Sequence, residues 1–326
     1  MTISSLRSRV CTPEWFKNKV PHGIWAVLRT FLLIGLCFMI VYPILMLLTR
    51  SFMSTADMSD SSVVLFPKSM SFETISLAGE MMQYGKSLIV TLLIVATVTA
   101  LQTFACLMVG YGFARYEIPL KPLLFALVIF TIIVPPQLYL PSMYLHFKNF
   151  DILGIISVIR GEPLHLVNTY APLYLLAITA SGIKNGLFIY IFRQNFRNMP
   201  AEIEEAAFVD GAGHFRIFAG IMIPNAIATI VTVALFSFVW VYNDNVVSGI
   251  LLGNSDLLSV QYLNVAEITN LELKDWGIPD ALSYNPVYIL ALKSAAVLLV
   301  VAPLVVLYLG MQRFFVESVE RSGLVG

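Results

Sequence analysis

The sequence is poor in charge. Only 12% of its 326 residues are Asp, Glu, Lys or Arg, and 58% are hydrophobic. Soluble domains carry about 25% charged residues. A chain this apolar lacks the polar surface to cover a globule in water, which excludes an ordinary soluble domain. Cysteine is scarce, and Cys11, Cys37 and Cys106 show no metal-ligand spacing. They read as packing residues, not as a redox or metal framework. The four histidines, His22, His146, His165 and His214, are scattered and build no acid–base or metal cluster. No G-x-x-x-x-G-K-[ST] phosphate loop occurs, so the usual ATP-binding device is missing. These absences argue against an enzyme. A net charge of zero gives no footing for nucleic acid.

What the chain has is long apolar runs. A bilayer-crossing helix needs about 20 such residues, because in lipid a helix satisfies its own backbone groups. Six runs qualify, over residues 25–48, 88–113, 123–146, 171–192, 227–251 and 288–311. The third is interrupted by Pro135 and Pro136. The run from Trp25 is too long for a signal core and is expected to be the first span. With the N-terminus inside, twelve Lys and Arg residues face the cytoplasm, seven face outside, and Lys184 lies within a span. Cytoplasmic loops are enriched in these residues. The expected architecture is therefore an all-α, polytopic membrane protein with six transmembrane helices and both termini cytoplasmic. Residues 1–24 form a cytoplasmic N-terminal segment, and residues 25–326 form the transmembrane domain. Two outer segments, 50–87 and 253–286, are acidic and too short for a catalytic domain.

The densest signal lies between the fourth and fifth runs, in a loop over about residues 197–224. Pro200 suits the first turn of a helix, and Glu202, Glu204 and Glu205 complement its positive end. Ala206 and Ala207 are strong helix formers with little bulk, so another surface can approach closely. Asp210, Gly211 and Gly213 break the helix. A second short helix then presents Phe215, Phe218 and Ile221 on roughly one face before Pro224 and the next span. Taken as composition, this is a well-punctuated interfacial loop.

Its full spacing adds more. Glu205, Ala206, Ala207, Asp210, Gly211, Ala212, Phe218, Ile221 and Pro224 together resemble the EAA loop of ATP-binding-cassette importer permeases. Other stretches resemble the carbohydrate-uptake, maltose-type branch of that family. They include Tyr111-Gly112-Phe113-Ala114-Arg115, Val134-Pro135-Pro136-Gln137 and Asn185-Gly186-Leu187-Phe188. Trp240 with Asn243 and Asp244, and the tail Gln312-Arg313-Phe314-Phe315-Val316, complete the set. The segments around 160–170 and 253–286 are longer than is typical of that branch. The resemblance implies a type I importer permease fold and a subunit that translocates a sugar or oligosaccharide by alternating access. It implies that the loop docks on a cytoplasmic ATPase dimer that binds ATP and Mg, leaving no cofactor in this chain. It further implies a second permease subunit, expected as a heterodimer, and a periplasmic or extracellular solute-binding protein, all in a bacterial inner membrane.

Polar groups in hydrocarbon are costly and usually face a bundle interior or a water path. Gln137, Asn185, Trp240, Asn243 and Asp244 are the candidates for a translocation path. Gln102, Thr103, Tyr139 and Tyr242 are further polar residues in the runs. Helix-to-helix bonding is the plainer role for all of them. Lys184 has two readings, a pair with Asp244 or ordinary packing. Gly182 and Gly186 are spaced to seat another helix closely. An importer for a non-sugar solute stays open. A self-contained secondary transporter would need internal inverted repeats, and none is detected.

Overall fold

A computed structural model describes residues 22–60, 62–63, 66–253 and 255–323. The expected cytoplasmic residues 1–21 and the last three residues lie outside the described residues. Among the described residues all regular elements are helices, and extended backbone pairs only at two isolated bridges, Met53 with Met70 and Phe150 with Leu164.

Helix α1 (His22–Ser51) is an apolar rod with Pro43 inside it. Helix α2 (Glu73–Met81) ends where Gln83 takes a left-handed conformation, φ 45°, and turns the chain straight into α3 (Tyr84–Arg115). The third run divides into α4 (Lys121–Ile133), a 3-10 turn over Pro136–Leu138, and α5 (Leu140–Lys148). Val134 and Pro135 each precede a proline, whose ring pushes the residue before it out of the helical region. Both are extended.

The fourth and fifth runs depart from the expected unbroken helices. The fourth is α6 (Ala171–Ile178) followed by α7 (Asn185–Asn198). Between them Ala180 turns left-handed, φ 52°. The loop after α7 forms α8 (Glu202–Val209), α9 (His214–Ile217), a π-helical turn over Phe218–Met222 and the short helix Ile223–Asn225. The fifth run begins as α10 (Ile227–Tyr242), bent 75° from His214–Asn225, and restarts as α11 (Val246–Leu251). Its break falls at Asn243 and Asp244, whose side chains bond to local backbone groups in place of the helix ladder. Helices α12 (Leu258–Ala266) and α13 (Asn270–Asp275) then lead to α14 (Pro286–Gly323). Among the described residues, the stretches Trp25–Ser51, Tyr84–Arg115 and Pro286–Gly310 are long and apolar enough to cross a bilayer unbroken, and the bent pair would make a fourth span.

Helix α3 is the axis of the bundle. It packs on α6, α7, α10 and α12. Its buried residues, including Thr91, Val95, Val98, Gln102, Cys106 and Gly110, recur every three or four positions and so form one face. Association in lipid depends on close packing, not on water release. At Gly110 a Cβ would lie 2.5 Å from Phe192 and 3.0 Å from the Arg193 nitrogen, so only glycine lets α3 and α7 approach this far. Gly186 gives α7 the same closeness to Thr131 and Val128 of α4. Phe188, Phe192 and Phe196 of α7 are fully buried in that seam. By contrast α1 leans on α14 and leaves nearly all its apolar surface exposed.

Candidate functional site

Two places concentrate polar chemistry, one at the end of α3 and one along its middle. At the end, Glu204 of α8 lies 3.3 Å from Arg115 Nε, with both side chains nearly buried. The Tyr111 hydroxyl donates to Glu204 at 3.2 Å, and Arg115 Nη2 donates to the Met199 carbonyl at 2.8 Å. The loop is thereby clamped to the last turn of α3. Phe218, Ile217 and Met222 are buried beneath it, and Tyr111 meets Phe218 at 4.7 Å and Phe196 at 5.2 Å between ring centroids.

The sequence-predicted loop residues fall into two groups. Ala207 and Phe218 are buried inside this chain, and Ala212 and Ile221 are half-buried. Glu205, Ala206, Asp210, Gly211 and Pro224 are exposed. Gly211 has φ +79°, the turn conformation that favours glycine. Phe215 does not share a face with Phe218 as expected. It is 82% exposed, and Ile203, Phe208 and Val209 of α8 are exposed apolar residues too, on the same helix as Glu205 and Ala206. Exposed patches of this kind mark contact surfaces. Glu204 was legible only as a helix-start carboxylate, and nothing in the spacing joined it to Arg115.

The second place is a cavity of about 170 Å³ between α3, α6, the turn before α7, α10, α11 and α12. Trp240 and Asp244 both line it, as do Gln102, Lys184, Ser248 and Ser259. The Lys184 ammonium sits 5.1 Å over the Trp240 ring, which itself packs on Phe188 and Phe236. Asp244 is not the partner of Lys184. Its Oδ1 accepts from the Val247 N–H at 3.1 Å, and the N–H groups of Val246 and Ser248 face it too, so it caps the restarted helix α11. The Thr91 hydroxyl accepts from Leu258 N at 2.7 Å and pins α12 across one side.

The other path candidates lie elsewhere. Asn185 is buried beside the cavity with its side chain against Gln102; with its amide turned so that the oxygen faces the surrounding donors, that oxygen accepts from Gly182 N at 2.9 Å and Ser181 N at 3.2 Å. It ties down the break in the fourth run. Asn243 is exposed and donates to the Val239 carbonyl of its own helix at 2.8 Å. Gln137 is exposed in a separate shallow depression with Tyr144 and Val246. Ser248 and Ser259 were not picked out in sequence, because they reach the cavity from a half-helix and an outer helix. Among the described residues no group of His, Cys, Asp and Glu could hold a metal ion.

Broken apolar helices around a small, largely apolar cavity with a few polar side chains, and an anchored helix–turn–helix at one end, define a membrane translocation subunit. The chain belongs to the family of binding-protein-dependent transport system inner membrane components, whose pattern matches residues 106–321. It is 29% identical over 286 residues to the melibiose/raffinose/stachyose import permease protein MelC of Bacillus subtilis, covering 87% of this chain and 91% of that one. It is 31% identical over 232 residues to the osmoprotective compounds uptake permease protein GgtD of Synechocystis, covering 70% and 66%. The fold matches a chain in the crystal structure of a bacterial ABC transporter involved in import of the acidic polysaccharide alginate. There the TM-score is 0.64 at 19% identity, covering 91% of this chain and 99% of that one. The all-α, type I importer permease fold expected from the sequence is the fold observed.

Proposed function

We propose that this permease carries a sugar or oligosaccharide and works by alternating access driven from a separate ATPase dimer. One observation carries the mechanism: the loop and the cavity share their supports. Helix α3 bears the Tyr111–Arg115 clamp at one end and Gln102 in the cavity wall. That is 13 residues, or about 20 Å of helix at 1.5 Å per residue. Helix α10 follows the loop directly and ends at Trp240 and Asp244. A displacement of α8 therefore reaches one wall of the cavity along α3 and a second through the bent link into α10.

In this reading Glu205, Ala206, Val209 and Phe215 meet the ATPase, which binds ATP and Mg. The loop and both termini are cytoplasmic, in a bacterial inner membrane of six spans. A second permease completes the pore. A solute-binding protein delivers cargo on the opposite side and shifts the balance by preferring the outward-open state. The sugar class is supported by the MelC relative, which aligns along most of this chain. The GgtD relative favours a second solute class, an osmoprotective compound.

The test is reconstitution of the complete importer in proteoliposomes. ATP hydrolysis should rise when the loaded binding protein is added, with uptake of the sugar that protein carries. A chain that purifies without any ATPase, or takes up solute without ATP, would defeat the reading. Labelling of single cysteines in intact cells should reach residues 50–87 and 253–286 but not residue 205.

A further inference from the structure

The charge inventory of the cavity is uneven. Only Lys184 and Asp244 bring ionisable charge to its wall, and they do not pair. The Asp244 carboxylate is turned onto the amides that begin α11, whose N–H groups occupy its oxygens. No hydrogen bond among the described residues engages the Lys184 ammonium in the same way. Among the described residues no carboxylate forms an ion pair with it, and what holds it is the face of Trp240 at 5.1 Å. Lys184 is exposed at the cavity, and Trp240 is partly exposed beside it. A lysine within a membrane-crossing stretch is costly, and such residues mark substrate paths. A ring face stabilises a cation without consuming its hydrogen-bond capacity, since the ammonium keeps its three donors. The charge left without a hydrogen-bonding partner in the cavity is therefore positive, and it shares the wall with an aromatic face and the side chains of Gln102 and Ser259.

We infer that the cavity selects an anionic sugar, a solute whose carboxylate or phosphate pairs with Lys184 while its ring lies against Trp240. The inference rests on the importer reading above and narrows its substrate class. A neutral sugar would leave the ammonium desolvated with no compensating partner when it filled the cavity, whereas an anionic one forms a charge-assisted hydrogen bond there. A cation would be repelled. The same positive centre makes the cavity discriminate by charge before it discriminates by shape.

The experiment has two arms on the complete importer with its own binding protein. In the first, thermal shift of the binding protein is measured with galacturonate, glucuronate, their di- and trisaccharides and glucose 6-phosphate. Galactose, glucose and maltotriose serve as neutral probes. Stabilisation by uronates or by the sugar phosphate supports the proposal and tells the two anionic groups apart. Stabilisation by the neutral probes alone, or by none of the set, overturns it. In the second arm, uptake into proteoliposomes is compared for wild type, Lys184→Met and Lys184→Arg. Loss of one charge-assisted bond should lower uptake of the anionic probe by about tenfold in Lys184→Met, with Lys184→Arg keeping most of it. ATPase stimulation by the loaded binding protein reports separately on the importer reading, which fails only if that stimulation is missing in wild type. Unchanged uptake in Lys184→Met overturns the inference. So does loss of the second permease from that purified variant, which would place the counter-ion of Lys184 on the neighbouring subunit.

Discussion

Arg115, the last residue of α3, holds Glu204 of α8 at 3.3 Å, with the two side chains only 12% and 13% exposed. Removing one side of a nearly buried ion pair leaves the other charge uncompensated, at a cost of about 3 kcal/mol. Glu204→Ala is therefore expected to loosen the loop and lower the thermal stability of the purified permease. Glu205→Ala, one residue away but exposed, should leave stability unchanged and reduce retention of the ATPase. Equal melting of the two variants would show that the clamp does not hold the loop.

Gly211 and Gly213 make a second paired test. Gly211 sits at φ +79°, whereas Gly213 is extended at φ −75°. A side chain in the left-handed region costs about 1–2 kcal/mol. Gly211→Ala should thus distort the turn after α8 and weaken ATPase retention, and Gly213→Ala should be tolerated. No Cβ clash confuses the comparison, since neither site has a neighbouring atom within 4 Å. Equal effects of both substitutions on retention would remove the turn from the coupling route.

The contrast between legible and hidden features has a physical origin. Helices α1, α3 and α14 were readable because a long apolar run in lipid has one backbone solution. The proline break after α4 was readable for the same local reason. The breaks at Ala180 and at Asn243–Asp244 were not, because their polar groups sit inside runs whose hydropathy still averages as a span. Phe215 and Phe218 are three residues apart and so about 60° apart around a helix. At the edge of a narrow buried face that angle separates an exposed ring from a buried one. In the cavity, Trp240 and Asp244 were within reach of sequence reasoning, since both lie in one short polar stretch. Gln102, Lys184 and Ser259 come together only through packing of three separate segments.

The segment between α1 and α2 offers a pH test. Asp57 accepts from the Ser69 N–H at 3.0 Å, and this bond, with further bonds from Ser54 and Lys68, holds its carboxyl below the usual carboxylate range. Asp60 is held down too, mainly by the Lys68 ammonium at 2.6 Å. A lowered folded-state pKa contributes stability that is present above the unfolded value, near 4, and is lost as pH falls through the folded one. Hydrogen exchange at the Ser69 amide should therefore be protected at neutral pH and lose protection below about pH 4. In Asp57→Asn the protection should be weaker at neutral pH and nearly independent of acid. Acid-sensitive exchange that persists in that variant would assign the effect to Asp60 alone.

Asp244 has two sequence readings, a place on the translocation path and a pair with Lys184, and variants separate them. If it paired with Lys184, then Asp244→Ala would destabilise the bundle and Lys184→Met would restore much of the loss. The observed geometry sets a different expectation. Asp244 accepts from Val247 N as the cap of α11, and Lys184 rests on Trp240. Loss of a cap costs about 1–2 kcal/mol whatever Lys184 becomes. Asp244→Ala should therefore lower thermal stability by about that amount. Asp244→Asn should recover part of it, because an asparagine oxygen still caps. The double variant with Lys184→Met should melt where the sum of the single effects places it, within about 0.5 kcal/mol. Trp240→Leu supplies the complementary cycle: it should show coupling with Lys184→Met, since those two side chains touch. Rescue of Asp244→Ala by Lys184→Met in the detergent-solubilised complex would reinstate the ion pair and remove the free positive charge from the cavity wall.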